Sequence, residues 1–154
     1  MKNKKGFTLI ELLAVIVILA IIALIATPII LNMINEARKS AAKSSSLGFV
    51  DSIEYYAGFS ETSKSGTGIQ LNGYDKVLPG NGEDITCEKT TSGWDNTCKT
   101  FMEAVEKKNK GKSPEKAKIY ITKNGKVKKD SKFYYNKYTC EYDGKDIKQC
   151  TSGD

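Results

Sequence analysis

The sequence contains no histidine. It therefore lacks the commonest general base, the usual metal ligand and the side chain that titrates near neutral pH. No nucleophile motif is present, and Asp, Glu, Lys and Tyr are not grouped at a recognisable catalytic spacing. The 154 residues suffice for one domain with a modest core. We expect no enzymatic activity and no cofactor; a membrane-anchored secreted enzyme is the alternative.

Positive charge is missing from a long stretch near the N-terminus, where no lysine or arginine occurs between Lys5 and Arg38. The segment from Phe7 to Leu31 is apolar, interrupted mainly by Glu11 and by Thr27-Pro28. At about 1.5 Å per residue, a helix of this length crosses a hydrocarbon layer roughly 30 Å thick. The three lysines before it keep the N-terminal end in the cytoplasm, so we expect the rest of the chain to be exported.

Two ordinary interpretations compete for this segment. A cleaved secretory signal has a shorter apolar core followed by small residues, and Ala20, Ala23 and Ala26 would have to serve as that site. A plain single-span anchor fits the length but does not explain Glu11, because a carboxylate inside an apolar helix costs roughly 2.5 to 3.5 kcal/mol unless it is paired. With no cation nearby in sequence, we expect its partner to be another chain or a new amino terminus.

The run Lys5-Gly6-Phe7-Thr8-Leu9-Ile10-Glu11-Leu12 resembles the processing site and N-terminal helix of a type IV prepilin. The resemblance covers roughly residues 1 to 50. It implies that a prepilin peptidase removes the leader between Gly6 and Phe7, and that the new N-terminal Phe7 is N-methylated. It also implies that Glu11 neutralises the terminal amine of a neighbouring subunit during assembly.

Pro28 matches the proline that kinks the helix of many pilins. Its ring crowds the carbonyl of Leu24 and it has no amide hydrogen, so a kink or local melting from Leu24 to Pro28 is expected. Local melting would let the helix stretch in a filament. The alternative is a membrane-helix kink without a function.

The predicted fold is α+β, with a long N-terminal helix packed on a small antiparallel sheet, as in type IV pilins. Residues 1–6 are the leader, 7–31 the membrane-spanning and filament-core half of the helix, and 32–58 its amphipathic half. The stripe that returns after the serines near position 45 consists of Leu47, Val50, Ile53 and Ala57. Residues 59–154 form the head.

Within the head, residues 58 to 82 indicate a loop with short extended pieces at Ile69–Leu71 and Lys76–Leu78. A second helix is predicted from Asn96 to Asn109, with Cys98, Phe101, Met102 and Val105 facing inward.

Alternation from Lys118 predicts a hairpin that turns at Asn124-Gly125 and continues through Lys126–Lys128. A second hairpin runs from Lys132 to Tyr142, turns at Asp143-Gly144 and ends at Lys148, which makes four strands in all.

The four cysteines are expected to form two disulfides, because the head is placed outside the membrane. Three connectivities are possible, and short loop closure favours Cys87 with Cys98 and Cys140 with Cys150. The second pair also resembles the C-terminal disulfide loop of many pilins. A two-residue Asp143-Gly144 turn would place Cys140 opposite Ile147, so the last residues would have to bend away. Zinc binding is the alternative, without a C-x-x-C pair or a histidine to favour it.

Charge is unevenly distributed in the head. Residues 51 to 106 carry ten acidic and four basic side chains, net −6, whereas residues 107 to 132 carry eleven lysines and two acidic residues, net +9. These patches would meet between subunits in a filament, unless the lysines simply form a solvated surface. The lysines also interleave with aromatic residues, which suggests weak DNA or host-surface binding through the basic segment (residues 107–132). The aromatic residues are Tyr120, Phe133, Tyr134, Tyr135 and Tyr138.

The function that these observations and the resemblance imply is that of a type IV pilin. The chain would be a single-pass membrane protein that polymerises with copies of itself into an extracellular filament for adhesion, surface motility or biofilm formation. Its partners would be the prepilin peptidase and N-methyltransferase, the inner-membrane pilus assembly machinery and the cell membrane. The alternative is a minor pilin, or a pseudopilin of a type II secretion or DNA-uptake machine.

Overall fold

The computed structural model describes the backbone of residues 6–64 and 84–153 and the side chains of residues 6–58 and 84–153. The two pieces predicted at Ile69–Leu71 and Lys76–Leu78 lie outside these ranges. The strands form one antiparallel sheet with the order β2-β1-β3-β4-β5-β6. The elements are α1 (Leu9–Lys64), β1 (Ile85–Thr90), β2 (Gly93–Trp94), α2 (Lys99–Lys108), β3 (Lys116–Ile121), β4 (Ser131–Tyr135), β5 (Tyr138–Tyr142) and β6 (Ile147–Ser152). This architecture confirms the predicted α+β fold.

The chain divides into two compact units, one ending at Arg38 and the other beginning at Lys39. The first unit contains the apolar part of α1. The second contains the rest of α1, the sheet and α2. The second unit therefore includes about three quarters of the segment from 32 to 58 that the sequence places in the helix.

Helix α1 is unbroken from Leu9 to Lys64, with Pro28 inside it. The local melting predicted from Leu24 to Pro28 is therefore wrong for this state of the subunit, and the kink stays a prediction. Next to the proline, the Thr27 hydroxyl donates a hydrogen bond to the Ala23 carbonyl at 2.6 Å. A threonine hydroxyl is one of the groups that satisfy backbone carbonyls where proline interrupts the helical ladder.

In the second unit, one face of α1 is buried from Ala42 to Ala57. It contains Phe49, Val50 and Ile53, and Leu47 packs at its edge. The helix continues through the serines near position 45, where Ser46 lies on the buried face and donates its hydroxyl to the Ala42 carbonyl at 2.9 Å. A serine that satisfies its hydroxyl within the helix can be buried at little cost.

The sheet buries one face, and strand alternation decides which side chains lie there. In β4 the side chains of Phe133 and Tyr135 are buried, whereas Lys132 and Tyr134 point to the other face. Phe49 of α1 packs edge-on against Phe133 and stacks on Trp94, with ring centroids 6.2 Å apart in both pairs. These aromatic contacts join α1, β2 and β4 in one core.

Helix α2 is shorter than predicted, because it begins at Lys99 rather than at Asn96. Cys98, Phe101, Met102 and Val105 are all buried, as their helical spacing predicts. The residues before Lys99 form a turn that Asp95 stabilises by hydrogen bonds.

The predicted two-residue turn at Asn124-Gly125 is wrong. Lys123, Asn124 and Gly125 form the loop, because the Thr122 amide donates to the Lys126 carbonyl at 2.8 Å and Gly125 adopts φ +78°. A three-residue loop that ends with a left-handed glycine is a common hairpin connection. Beyond the loop, the bridge from Ile121 to Val127 and a bond from the Lys128 amide to the Tyr120 carbonyl continue this hairpin. Within the sheet, β3 pairs with β1 on one side and with β4 on the other.

The second predicted hairpin is two hairpins, β4–β5 and β5–β6, so this region contains three strands rather than two. Together with β3 and with β1 and β2, which the sequence did not predict, they make six strands rather than four. Asn136 and Lys137 separate β4 from β5, and Asn136 adopts φ +53°. The sequence did not predict this turn, because tyrosines on both sides of it favour a strand. Asparagine nevertheless tolerates the left-handed conformation that such a turn needs.

The loop between β5 and β6 runs from Asp143 to Asp146, and Tyr142 rather than Cys140 lies opposite Ile147. An irregularity in the ladder between Cys140 and Tyr142 then places Cys140 directly opposite Cys150. The last residues therefore do not bend away, because a bulge adds one residue to one strand of the pair.

Candidate functional site

The start of α1 has a compact hydrogen-bonded geometry around Glu11. Its Oε2 accepts hydrogen bonds from the Thr8 amide and from the Thr8 hydroxyl, each at 2.7 Å. The Glu11 amide donates in return to the Thr8 hydroxyl oxygen at 3.3 Å. This reciprocal arrangement is a capping box, in which Thr8 is the N-cap and Glu11 is the third helical residue.

The capping box gives Glu11 a hydrogen-bond partner within the subunit, whereas pairing of its charge with a new amino terminus or another chain stays a prediction. In the subunit by itself, its carboxylate is satisfied by Thr8 three residues earlier. Both contacts use Oε2, and a carboxylate offers about four acceptor sites on its two oxygens. Glu11 can therefore hold the cap and accept a further donor through Oε1.

Gly6 and Phe7 lie before the helix and are exposed. The Phe7 side chain is 92% accessible. The helix begins only at Leu9 because Thr8 caps it. The peptide bond between Gly6 and Phe7 is therefore accessible without unwinding any helical turn.

The apolar side chains of α1 cover its whole circumference in the first unit. Every large apolar side chain from Leu9 to Leu31 is exposed, and Leu24 reaches 80%. By length and composition, the helix from Leu9 to Gly58 is able to cross a membrane. A helix that is apolar all round needs a bilayer or other protein as its surroundings.

The head contains two disulfides, Cys87–Cys98 and Cys140–Cys150, which is the pairing that short loop closure favours. All four cysteines are buried. Their sulfurs are therefore not the thiolates that zinc requires. Among the described residues, no group of three or more His, Cys, Asp or Glu side chains could hold a metal ion.

Ion pairs within the subunit join the acidic and basic regions of the head. Three lysines of the basic segment contact acids from residues 51–106, and two more contact Glu115 and Glu141. The first three pairs are Lys118–Glu88 at 2.7 Å, Lys126–Glu54 at 2.7 Å and Lys128–Asp84 at 3.0 Å. The charge segregation of the sequence is thus partly neutralised inside the subunit, although exposed pairs stabilise it only slightly. Contacts of the other lysines with a neighbour, DNA or a host surface stay predictions.

The aromatic residues near these lysines do not form one exposed platform. Phe133 and Tyr135 belong to the core, whereas Tyr120, Tyr134 and Tyr138 are partly buried. Burial raises the pKa of the Tyr135 phenol. Stacking of successive bases needs exposed rings along one groove. The tyrosine pattern therefore belongs mainly to sheet packing.

Asp84 connects the beginning of β1 to the loop after β3. Its carboxylate accepts hydrogen bonds from Lys128 Nζ at 3.0 Å and from the Lys123 amide at 2.9 Å. The Lys128 contact, followed by the Lys123 amide, holds the pKa of Asp84 below its ordinary value of 3.8. Its contribution to stability is therefore complete above that pH and is lost as the pH falls through the lowered pKa.

We predict that Asp84→Asn lowers the melting temperature of the head at about pH 6, and that this difference becomes smaller towards about pH 2, because the wild-type carboxyl gains its proton as the pH falls through the lowered pKa. The measurement is thermal unfolding followed by the fluorescence of Trp94, the single tryptophan. A difference of the same size at both pH values would show that the charge of Asp84 does not contribute.

Thr8 and Glu54 are positions that the sequence analysis did not single out. The signal for Thr8 was present, because Thr-x-x-Glu before an apolar run is the pattern of a capping box. Glu54 accepts hydrogen bonds from Lys126 Nζ and the Val127 amide, residues more than seventy positions away. No local pattern predicts that contact.

Comparison with known proteins gives one match. The family model for the prokaryotic N-terminal methylation motif matches residues 1–27. No curated protein and no solved structure is similar enough to the chain to count as a match. The matched residues include Gly6, Phe7 and Glu11 together with most of the apolar run. The pilin-like family with this motif is structural rather than enzymatic, and its motif implies processing by a prepilin peptidase. The chain therefore carries the N-terminus of a type IV pilin-like prepilin, with a class III signal peptide.

Proposed function

We propose that this protein is a structural subunit of a type IV pilus, which polymerises through helix α1 into an extracellular filament. The observation that carries the proposal is the apolar surface of α1, whose large side chains from Leu9 to Leu31 are all exposed. Such a surface is stable in a bilayer or against other apolar helices. Copies of the same helix provide that second environment, and their packing requires no catalytic group.

The first step of the proposed pathway is removal of residues 1–6. A prepilin peptidase cuts between Gly6 and Phe7 on the cytoplasmic side, and the new amino group of Phe7 is methylated. Exposure of both residues before the helix supports this step, because the peptidase meets a non-helical segment. Until assembly, α1 holds the subunit in the cell membrane.

The second step is docking of one subunit on the next, and it depends on Glu11. The Phe7 ammonium of one copy approaches Glu11 of another, whose Oε2 is already occupied by Thr8. The carboxylate then binds the ammonium through Oε1 while the cap is kept. A subunit docked in the wrong register leaves this ammonium unpaired in apolar surroundings, which is strongly unfavourable.

The head (residues 59–154 with the part of α1 from Lys39) faces outward in this proposal. Two buried disulfides make it suited to the oxidising environment outside the cell. The filament would serve adhesion, surface motility or biofilm formation, and the pilus assembly machinery of the inner membrane would extract the subunits. The lysines of the basic segment without an acidic partner among the described residues are the candidates for binding an anionic host surface or DNA.

The test is to shear surface filaments from the source cells and to measure the mass of their principal component. We expect a chain that begins at N-methylated Phe7 and gains four hydrogens on reduction, because both disulfides open. Fragment masses from the N-terminus identify the methyl group. This result would make the chain the main subunit of the filament.

Other outcomes assign the chain differently. Processed chain that occurs only in the membrane, or as a trace in the filaments, indicates a minor pilin or a pseudopilin of a secretion or DNA-uptake machine. A chain that keeps Met1 to Gly6 indicates an ordinary membrane anchor, and the proposed pathway is then wrong.

A further inference from the structure

Asp95 lies between β2, which ends at Trp94, and α2, which begins at Lys99. Its carboxylate accepts two backbone hydrogen bonds. Oδ2 accepts the amide of Glu88 in β1, and Oδ1 accepts the amide of Cys98 at 2.9 Å. One short side chain therefore holds a strand and the start of a helix together.

The contact with Glu88 replaces part of the β-ladder. Lys89 is paired with Trp94, so Glu88 and Asp95 are the next opposite residues of the hairpin. The Asp95 amide donates to the Glu88 carbonyl at 2.9 Å, as in an ordinary ladder, but the Glu88 amide binds the Asp95 carboxylate. The Asp95 carbonyl is thereby released and accepts the Lys99 amide at 2.9 Å.

Because the Asp95 side chain replaces its carbonyl in the β-ladder, the chain passes from strand to helix within a few residues. The carboxylate continues the hairpin while the carbonyl begins the helical pattern. Cys98 is the N-cap residue of α2 but makes no side-chain cap, because its sulfur is bonded to Cys87. Asp95 instead accepts the amide of Cys98 itself and so fixes the residue that precedes the helix.

The same contacts lie next to the disulfide between Cys87 and Cys98. Cys87 precedes Glu88 in β1, and Cys98 follows Asp95 by three residues. Asp95 therefore binds the residue after Cys87 and the amide of Cys98, and the Cα atoms of the two bonded cysteines are 5.6 Å apart. Both cysteines are buried.

We propose that Asp95 is a positioning residue for formation of the Cys87–Cys98 disulfide. In the reduced chain it builds the turn that brings the two thiols together, and it takes no part in the electron transfer. The oxidant is a disulfide-bearing thiol oxidoreductase or a small-molecule disulfide. The inference requires oxidation of the head but does not rest on filament assembly.

The reaction is two successive thiol–disulfide exchanges. A thiolate of one cysteine attacks the disulfide of the oxidant, which forms a mixed disulfide and releases one thiol of the oxidant. The thiolate of the other cysteine then attacks the chain's own sulfur in the mixed disulfide and releases the second thiol. The chain loses two protons and two electrons, and the oxidant is reduced to a dithiol or to two thiols.

The experiment compares the stability of each disulfide in the full-length chain, purified in detergent and equilibrated with mixtures of reduced and oxidised glutathione. Differential alkylation of the thiols, followed by peptide mass spectrometry, measures the oxidised fraction of each pair separately. We expect Asp95→Ala to lower the equilibrium constant for the Cys87–Cys98 bond about tenfold. The Glu88 amide loses its acceptor, and the Cys98 amide keeps only the longer bond to the Asp95 main-chain carbonyl, at 3.3 Å. The Cys140–Cys150 bond is expected to change less than about twofold.

Two further variants separate positioning from general loss of stability. Asp95→Asn keeps an amide oxygen that can accept the Cys98 amide, so it is expected to recover part of the lost bond stability. Asp143→Ala is the matched control, because Asp143 Oδ1 also accepts two backbone amides, in the loop beside the other disulfide. It is expected to leave Cys87–Cys98 unchanged.

Two results would overturn the proposal. One is an Asp95→Ala chain whose Cys87–Cys98 equilibrium constant stays within about twofold of the wild type. The other is an equal fall for both disulfides, which would mean that Asp95 only stabilises the head as a whole. Neither result would bear on whether the subunit forms filaments.

Discussion

Replacing Glu11 with alanine is expected to leave the chain inserted and cleaved after Gly6 but to reduce the yield of sheared filaments at least about tenfold. Without the carboxylate, the Phe7 ammonium of the neighbouring subunit is buried among apolar helices with no opposite charge. An unpaired buried charge costs several kcal/mol, and each 1.4 kcal/mol changes an equilibrium tenfold. The measurements are immunoblots of the membrane and sheared fractions, with N-terminal masses to confirm cleavage.

Two further variants separate the charge of Glu11 from its role in the capping box. Glu11→Gln keeps an amide oxygen that can accept the Thr8 amide and hydroxyl, but it has no negative charge. We expect it to insert normally and to assemble as poorly as Glu11→Ala. Glu36→Ala, which removes another exposed carboxylate of α1, is the control and is expected to assemble normally.

The outcomes distinguish three roles. Normal filament yield from Glu11→Ala would refute the assembly role of Glu11. Wild-type yield from Glu11→Gln, together with a defect in Glu11→Ala, would assign the residue to helix capping alone. Loss of cleavage in both variants would place its effect in recognition by the peptidase.

The second large effect is expected from Gly125→Ala in the loop after β3. Gly125 adopts φ +78°, and an added Cβ would overlap the Cβ of Ala57 in α1. The left-handed conformation costs about 1–2 kcal/mol for an alanine, and overpacking adds roughly 1–3 kcal/mol. We therefore expect the free energy of unfolding of the head to fall by about 2–5 kcal/mol. Denaturant unfolding of the full chain in detergent, followed by Trp94 fluorescence, measures this change.

Gly93→Ala is the matched control for the backbone conformation. Gly93 adopts φ +117°, but an added Cβ there would meet no atom within 4 Å. We expect it to be destabilising by about 1–3 kcal/mol, through backbone strain alone. Equal effects of the two substitutions would show that the contact between the loop and α1 is looser than the structure indicates.

Local sequence patterns account for much of the fold. The apolar run, the spacing of Val50, Ile53 and Ala57 and the buried face of α2 are periodicities within one element, so they are readable without the rest of the chain. Short loop closure favoured the disulfide pairing that the structure has, although the sequence alone left three connectivities open. The melting at Pro28 was wrong, since the helix continues through the proline.

The strand boundaries were the weakest predictions. The tyrosines on both sides of Asn136 read as one strand, although the backbone turns there. Asn-Gly at position 124 is a strong signal for a two-residue turn, but the loop instead packs its glycine against Ala57. The conformation of that loop depends on where α1 lies, and no sequence pattern near residue 124 gives the position of α1.

The sequence by itself determined the character of the N-terminal segment. Its length, the lysines before it and Thr8 and Glu11 at capping-box spacing are local properties, and the methylation motif lies entirely within them. Only the tertiary structure decided what holds the head together. The ladder irregularity opposite Cys150, the ion pairs that neutralise the basic segment and the two bonds of Asp95 all join residues from different elements. Such contacts depend on register and distance in space, which spacing along the chain does not contain.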